Sequence, residues 1–382
     1  MTTQNSKLKT QNSIRIILDA RLNAYRIGGI PQYTRQLAQA LAEIARADQL
    51  MLLQHRAQHV PLVDAPNVRR ISALTPPHHP LEQLTLPLEL LPLRAQVAHF
   101  PDFIAPSISP CPTVVTFHDL AFLRFPEILD AAARAFYAQV SSSSRRASAL
   151  IAVSYSTRDD MVELLGIAPE RITVIHEAAA PYFDRIDVVA EPERDINGIH
   201  VVAGSFMLFV STLEPRKNLP MLLDVLKVMR ARRPEHDYQL VVVGARGWRD
   251  NAIRQSLGDP ELQNALLLLG QIGDDDLRWL YSTCRLYVNP SLYEGFGLPL
   301  LEAMACGAAC VAAHSSSLPE IGAETVCYAD PRQPEEWADL LARLWDDDAQ
   351  RAELGQRAHQ RAHQFSWARA ARATLDVYRS VI

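Results

Sequence analysis

The feature that most constrains the fold is an alternation: short apolar, β-branched runs separated by stretches of helical spacing. In the first half the runs are 14–19 (IRIILD), 50–53 (LMLL), 97–100 (VAHF), 113–117 (TVVTF), 149–153 (ALIAV) and 172–175 (ITVI). In the second half they are 207–211 (MLFVS), 239–243 (QLVVV), 266–269 (LLLL), 286–288 (LYV), 309–313 (ACVAA) and 326–328 (VCY). Runs this apolar suit strands covered on both faces, and helical crossovers between them give parallel sheets. Ile30, Tyr33, Leu37, Leu41 and Ile44 recur at three- and four-residue spacing, as do Leu219, Leu222, Leu226 and Met229. The stretch 184–205, charged and irregular at its start, separates the two series and reads as a linker. An α/β chain of two Rossmann-like domains is therefore expected, residues 13–186 and 200–365, facing across a ligand cleft. Trp367, Ala371, Leu375 and Tyr378 mark a last amphipathic helix over 366–382, with Ser366 as its N-cap.

At 382 residues the chain is long enough for two domains with separate cores. A formal charge of -5 speaks against nucleic acid as the main partner. No apolar run approaches the roughly 20 residues needed to span a bilayer. The opening MTTQNSKLKTQNS lacks an apolar core and reads as a polar leader rather than a signal peptide. Five scattered cysteines read as free thiols of a reducing cytosol, since Cys306 and Cys310, four apart, have no second pair or histidine to complete a zinc set. Asp274–Asp276 and Asp346–Asp348 follow no strand, so they read as helix-terminal residues rather than metal ligands. No metal and no cofactor is expected.

Two segments carry chemistry. In 289–302 (NPSLYEGFGLPLLE) a strand ends in a Pro-Ser turn, Gly295 and Gly297 allow a tight reversal, and an apolar helix runs to Gly307. Unpaired amides and the positive dipole end at Phe296, Gly297 and Leu298 make an anion site suited to a diphosphate. Glu294 and Glu302 flank it, and such carboxylates suit sugar or ribose hydroxyls, which donate hydrogen bonds. The second segment is 211–219 (STLEPRKNL), which follows a strand. There Pro215 fixes a turn, Asn218 is positioned to cap the next helix, and Arg216 and Lys217 sit at the strand's C-terminal edge. Lysine is rare in this chain, at positions 7, 9, 217 and 227 only, which singles out Lys217.

With the E-x7-E spacing of Glu294 and Glu302, the EPRKN turn, GGI at 28–30 and FHDLAFLRFPE at 117–127, the chain resembles the family-four retaining glycosyltransferases of GT-B fold over nearly its whole length. The resemblance implies a C-terminal helix returning to the N-terminal domain. It also implies that Gly28 and Gly29 approach the donor phosphates, as glycines between a strand and a helix permit. His118 then stands beside the donor sugar, with Asp119 orienting it or deprotonating an acceptor hydroxyl. Many members carry an additional arginine where this chain has Ser211 and Thr212, so either Arg216 supplies that charge from the turn or the phosphate grip differs.

The reaction so implied is transfer of a hexosyl group, mannose-like, from a nucleoside diphosphate sugar to an acceptor hydroxyl with retention, without a metal. GDP-mannose is the first donor to test. Polysaccharide or glycolipid synthesis is the expected setting. The leucine- and proline-rich stretch 74–94 lies in the domain that the resemblance assigns to a saccharide or lipid-linked acceptor. Cytoplasmic location is expected, with peripheral contact at the inner membrane face as an option. A sugar epimerase or a phosphorylase on the same fold, and a non-catalytic nucleotide-sugar-binding protein, are the alternatives.

Overall fold

The computed structural model describes residues 13–26, 28–126, 129, 131–186, 191–245 and 257–382. One sheet holds β1 (Arg15–Asp19), β2 (Gln49–His55), β3 (Val68–Ala73), β4 (Val97–Phe100), β5 (Thr113–Phe117), β6 (Ala149–Ala152) and β7 (Ile172–Val174), in the order β3-β2-β1-β4-β5-β6-β7. Its pairings from β3 through β5 are parallel. A hairpin of β8 (Glu193–Ile196) and β9 (Ile199–Val202) follows. The second large sheet holds β10 (Phe206–Val210), β11 (Gln239–Val243), β12 (Leu266–Gly270), β13 (Leu286–Asn289), β14 (Cys310–Ala313) and β15 (Cys327–Ala329). Its order is β12-β11-β10-β13-β14-β15, and all its pairings are parallel. In each sheet the first strand lies between strands that lead in opposite directions, the switch point beside which this architecture binds ligands.

Grouped by contacts, the chain forms two compact units. One is Met1–Thr116, Gln139–Ile151 and Ala371–Ile382; the other is Phe117–Ala138 and Ala152–Ala370. A single break between 186 and 200 was drawn from sequence, whereas this grouping carries 117–138 and 152–186 with the C-terminal sheet. Hydrogen bonds account for it. Ser154 Oγ donates to Gly295 O at 2.6 Å, and Tyr293 Oη donates to Asp160 Oδ2 at 2.6 Å. The core of the second unit is aromatic as well as aliphatic, with Trp279, Trp337, Tyr238, Tyr281 and Tyr287 all fully buried.

One expectation is corrected, the Asn218 cap, and two features were not anticipated. Within 184–205, Asn197 (φ 52°) and Gly198 (φ 80°) form the two-residue turn of the β8–β9 hairpin. Asn-Gly is the favoured pair where both central residues need positive φ. Asn218 stands at the start of helix Leu219–Arg232, yet its side chain does not cap it. The Asn218 amide instead donates to Pro290 O and Pro331 O, tying the turn to neighbouring loops. Strand β3 was not anticipated, because at a sheet edge only one of its residues is buried and VRRISA shows little apolar signal. Ser366 does accept from Arg369 N at the start of helix Trp367–Ser380.

Candidate active site

The site in the second unit is built on the loop from β13 to helix Leu298–Ala305. Asn289 Oδ1 accepts from Ser291 N, a side-chain-closed turn that ends the strand. Gly297 (φ 97°) occupies the N-cap position, and Pro299 in the first turn has no amide to satisfy. The amides of Phe296, Gly297 and Leu298 donate to no acceptor among the described residues. Three consecutive serines hold the loop. Ser315 Oγ donates to Ser291 O, Ser316 Oγ accepts from Glu294 N, and Ser317 Oγ donates to the carbonyls of Glu294 and Phe296. These serines were not singled out from sequence, where SSS after a strand is indistinguishable from a polar turn.

The turn 215–217 docks on this loop. Leu292 N donates to Arg216 O at 2.8 Å, and Arg216 Nη1 donates to Tyr293 O at 3.2 Å. Lys217 Nζ donates to both carboxylate oxygens of Glu294, each at 2.7 Å, and Ser291 Oγ adds a third bond to Glu294 at 2.9 Å. Lysine and glutamate are 8% and 7% exposed, so each charge depends on the other for solvation. Burial raises the Glu294 pKa, but Lys217, Arg216 and Ser291 outweigh it, and its carboxyl titrates below the usual range. Burial and the adjacent Arg216 lower the Lys217 pKa against the pull of Glu294. An ammonium has three donors; two serve Glu294, and no third acceptor is found among the described residues.

Arg216 is held by carboxylates. Its Nε donates to Glu214 at 2.9 Å, and Glu294 and Asp119 lie 3.7 and 4.0 Å away. Burial opposes its charge, while Asp119, Glu294 and Glu214 together raise its pKa. Arg216 and Lys217, expected at the strand's C-terminal edge, stand there as two cations against three carboxylates. Glu302 is also buried, but it accepts from Tyr281 Oη at 3.1 Å, a partner distinct from those of Glu294.

His118 and Asp119 follow β5. A Cβ at Gly295 would lie 1.7 Å from His118 O and 2.7 Å from Asp119 Cβ, so only glycine lets these two backbones meet. His118 Nδ1 is 2.8 Å from Glu177 Oε1, a carboxylate that is 3% exposed at the side chain. Orientation of the imidazole therefore falls to Glu177, not to Asp119, whose Oδ1 accepts from Ala121 N. The signal missed was an acidic residue just past a strand, in IHEAAAP after β7. Gly28 (φ 147°) and Gly29 lie in the first unit, at the start of helix Gly29–Ile44, and a Cβ at either would meet nothing within 4 Å. The two aspartate runs end helices: Asp274–Asp276 fill the first turn of Asp274–Thr283, and Asp347 accepts from Gln350 N.

Two parallel sheets, each with its switch-point strand, and a helix N-terminus carrying unsatisfied amides define a protein of GT-B fold. Sucrose-phosphate synthase from Thermosynechococcus elongatus superposes with a TM-score of 0.76 at 19% identity, covering 96% of this chain and 99% of the other. Anabaena HepE in complex with UDP and glucose superposes with a TM-score of 0.72 at 18% identity, covering 96% and 100%. Residues 200–361 match the family Glycosyl transferases group 1, and residues 27–179 match Glycosyltransferase Family 4. O-antigen chain mannosyltransferase B of Escherichia coli is 28% identical, covering 96% of this chain and all of the relative. The serotype-specific mannosyltransferase WbdA of the same species is 33% identical over 70% of this chain, which spans 33% of that relative's length. The chain is a glycosyltransferase.

Proposed function

We propose that the chain transfers a mannosyl group from GDP-mannose to an acceptor hydroxyl, with retention, during assembly of a cell-surface polysaccharide or glycolipid. One observation carries this reading: the Lys217–Glu294 pair sits on the loop that presents the amides of Phe296, Gly297 and Leu298. The third donor of Lys217 and those amides supply fixed dipoles and charge to a departing diphosphate, the term that usually dominates such catalysis. Arg216, neutralised by its carboxylates, acts chiefly by holding Glu294 and the loop. Glu294 and Glu302 accept hydrogen bonds from donor hydroxyls. His118, oriented by Glu177, meets the transferred sugar, and Asp119 serves the acceptor hydroxyl. Gly28 and Gly29 are read as donor-binding through backbone that no side chain crowds. The chain supplies the positive field, so transfer proceeds in the presence of a chelator. The mannosyltransferase relatives support the sugar and the polysaccharide setting.

A panel of nucleotide sugars read by thermal shift tests the donor, because a bound ligand stabilises in proportion to the logarithm of its concentration over Kd. GDP-mannose should give the largest shift, and GDP should be released only when a saccharide or lipid-linked acceptor is added. A larger shift with a UDP-sugar would reject the donor. Turnover to an isomeric sugar without acceptor would reject the reaction. The helix Glu82–Leu90 supports peripheral contact with a bilayer: its acidic side chains are turned to protein partners, while Leu81, Leu84, Leu88 and Leu91 are exposed.

A further inference from the structure

We propose that Asp184, His359 and His363 form a binding site for a divalent transition-metal ion of the zinc type. A carboxylate oxygen of Asp184 and one ring nitrogen from each histidine all lie within 4.8 Å of one another. The two histidines are one helical turn apart at the end of helix Asp348–Ala362, and their Nε2 atoms face each other at 3.1 Å. With metal–nitrogen bonds of about 2.0–2.1 Å, that separation subtends roughly 100° at a shared ion, between octahedral and tetrahedral angles.

The second observation fixes the chemistry. His359 Nδ1 lies 2.7 Å from Ala305 O, and a carbonyl can only accept, so Nδ1 carries the proton. The Nε2 lone pair of His359 is thereby left pointing at His363. A ring nitrogen that donates to a backbone carbonyl is the usual support of a ligating histidine. In the proposed bound state His363 ligates through Nε2 with its proton on Nδ1, and Asp184, whose Oδ1 lies 3.7 Å from His359 Nδ1, turns its carboxylate to the ion. The third ligand is positioned from its backbone: Arg278 Nε donates to Asp184 O at 2.9 Å, and Arg278 Nη2 donates to Arg185 O at 3.2 Å. His363 is exposed and Asp184 half-exposed, which leaves water free to complete the coordination.

This site is separate from the donor chemistry. Ala305 ends the helix whose first residue is Leu298, about 10–12 Å away along the axis at 1.5 Å per residue. An ion there joins the segment after β7 to helix Asp348–Ala362 and stiffens the carbonyl end of the motif helix, a structural role rather than a catalytic one.

Titration calorimetry with Zn2+ on the whole chain, stripped with chelator, provides the test. One equivalent should bind, and His363→Ala and Asp184→Asn should each weaken binding by at least about tenfold. Zn2+ should raise the melting temperature of the parent chain and leave that of His363→Ala unmoved, while the two chains melt together in chelator. The five free thiols are controlled by Co2+ absorption, which should show ligand-field bands without a thiolate charge-transfer band. Unchanged affinity in both variants, no saturable binding, or a thiolate band would each overturn the site.

Discussion

Lys217 and Glu294 form the buried ion pair of the candidate site, on which the proposed chemistry and the local stability both rest. Removing one partner of a buried ion pair costs about 3–5 kcal/mol, because the other charge is left without compensation. Lys217→Ala should therefore lower stability in urea by that amount and lower the transfer rate by about 10²–10³. Lys217→Met combined with Glu294→Leu separates the two effects: the double variant should regain most of the stability and none of the activity. A double variant that transferred sugar at the parental rate would remove the pair from the mechanism. The same pair sets an acid limb. Glu294 has a folded pKa below its unfolded value, so its stabilising contribution is full above the unfolded pKa of about 4.3. It is lost as pH falls from there through the folded pKa. Glu294→Gln has no such contribution to lose, and its melting temperature should fall less steeply than the parent's between about pH 5 and pH 3.

At the scale of elements, the strands that sequence revealed best were the ones buried on both faces. VAHF, TVVTF and QLVVV were placed at the residues they occupy, since continuous apolar runs leave little ambiguity. The edge strand β3 and the β8–β9 hairpin escaped because their residues are half exposed and charged, and the Asn-Gly turn was the only local cue. Of the candidate site, the positions of the motif glycines, Lys217, Glu294 and His118 drew notice because each stands near a strand end in a recognisable spacing. Glu177 and Ser315–Ser317 were not, because their importance lies in contacts with residues far along the chain. His99 is another such case, lying unremarked within an apolar strand. It is fully buried, with Nδ1 at 2.7 Å from Tyr378 Oη and Nε2 at 2.7 Å from Thr116 Oγ1. These bonds join helix Trp367–Ser380 to β4 and β5. Tyr378→Phe keeps the ring and removes the hydroxyl, so it should cost about 1–3 kcal/mol. Urea unfolding would register this as a lower midpoint at unchanged slope, and an unshifted midpoint would show that the helix is held by packing alone.

For the whole molecule, the question is how a chain in which no described helix is long and apolar enough to cross a membrane would meet the proposed polysaccharide or lipid-linked acceptor. Helix Glu82–Leu90 has its polarity reversed relative to an ordinary surface helix. Glu82 accepts from Arg21 at 2.5 Å, and Glu89 accepts from the amides of Leu74 and Thr75 at 2.7 and 2.9 Å. Its carboxylates are thus bound within the protein, while Leu84 and Leu88, at 69% and 71% exposure, point to solvent beside Leu81 and Leu91. Spacing of three and four residues puts these leucines on one stripe. Water penalises such a stripe, and burying each leucine in an acyl boundary recovers about 1.5–3 kcal/mol. A partner protein would be expected to use the carboxylates as well, and these are already satisfied internally. Leu84→Ser with Leu88→Ser should therefore reduce co-sedimentation with phospholipid vesicles by tenfold or more. The same variant should retain the GDP-mannose thermal shift and full rates with a water-soluble acceptor, because the helix and the donor loop belong to different units. Equal vesicle binding by the variant and the parent would show that the leucines face something other than lipid.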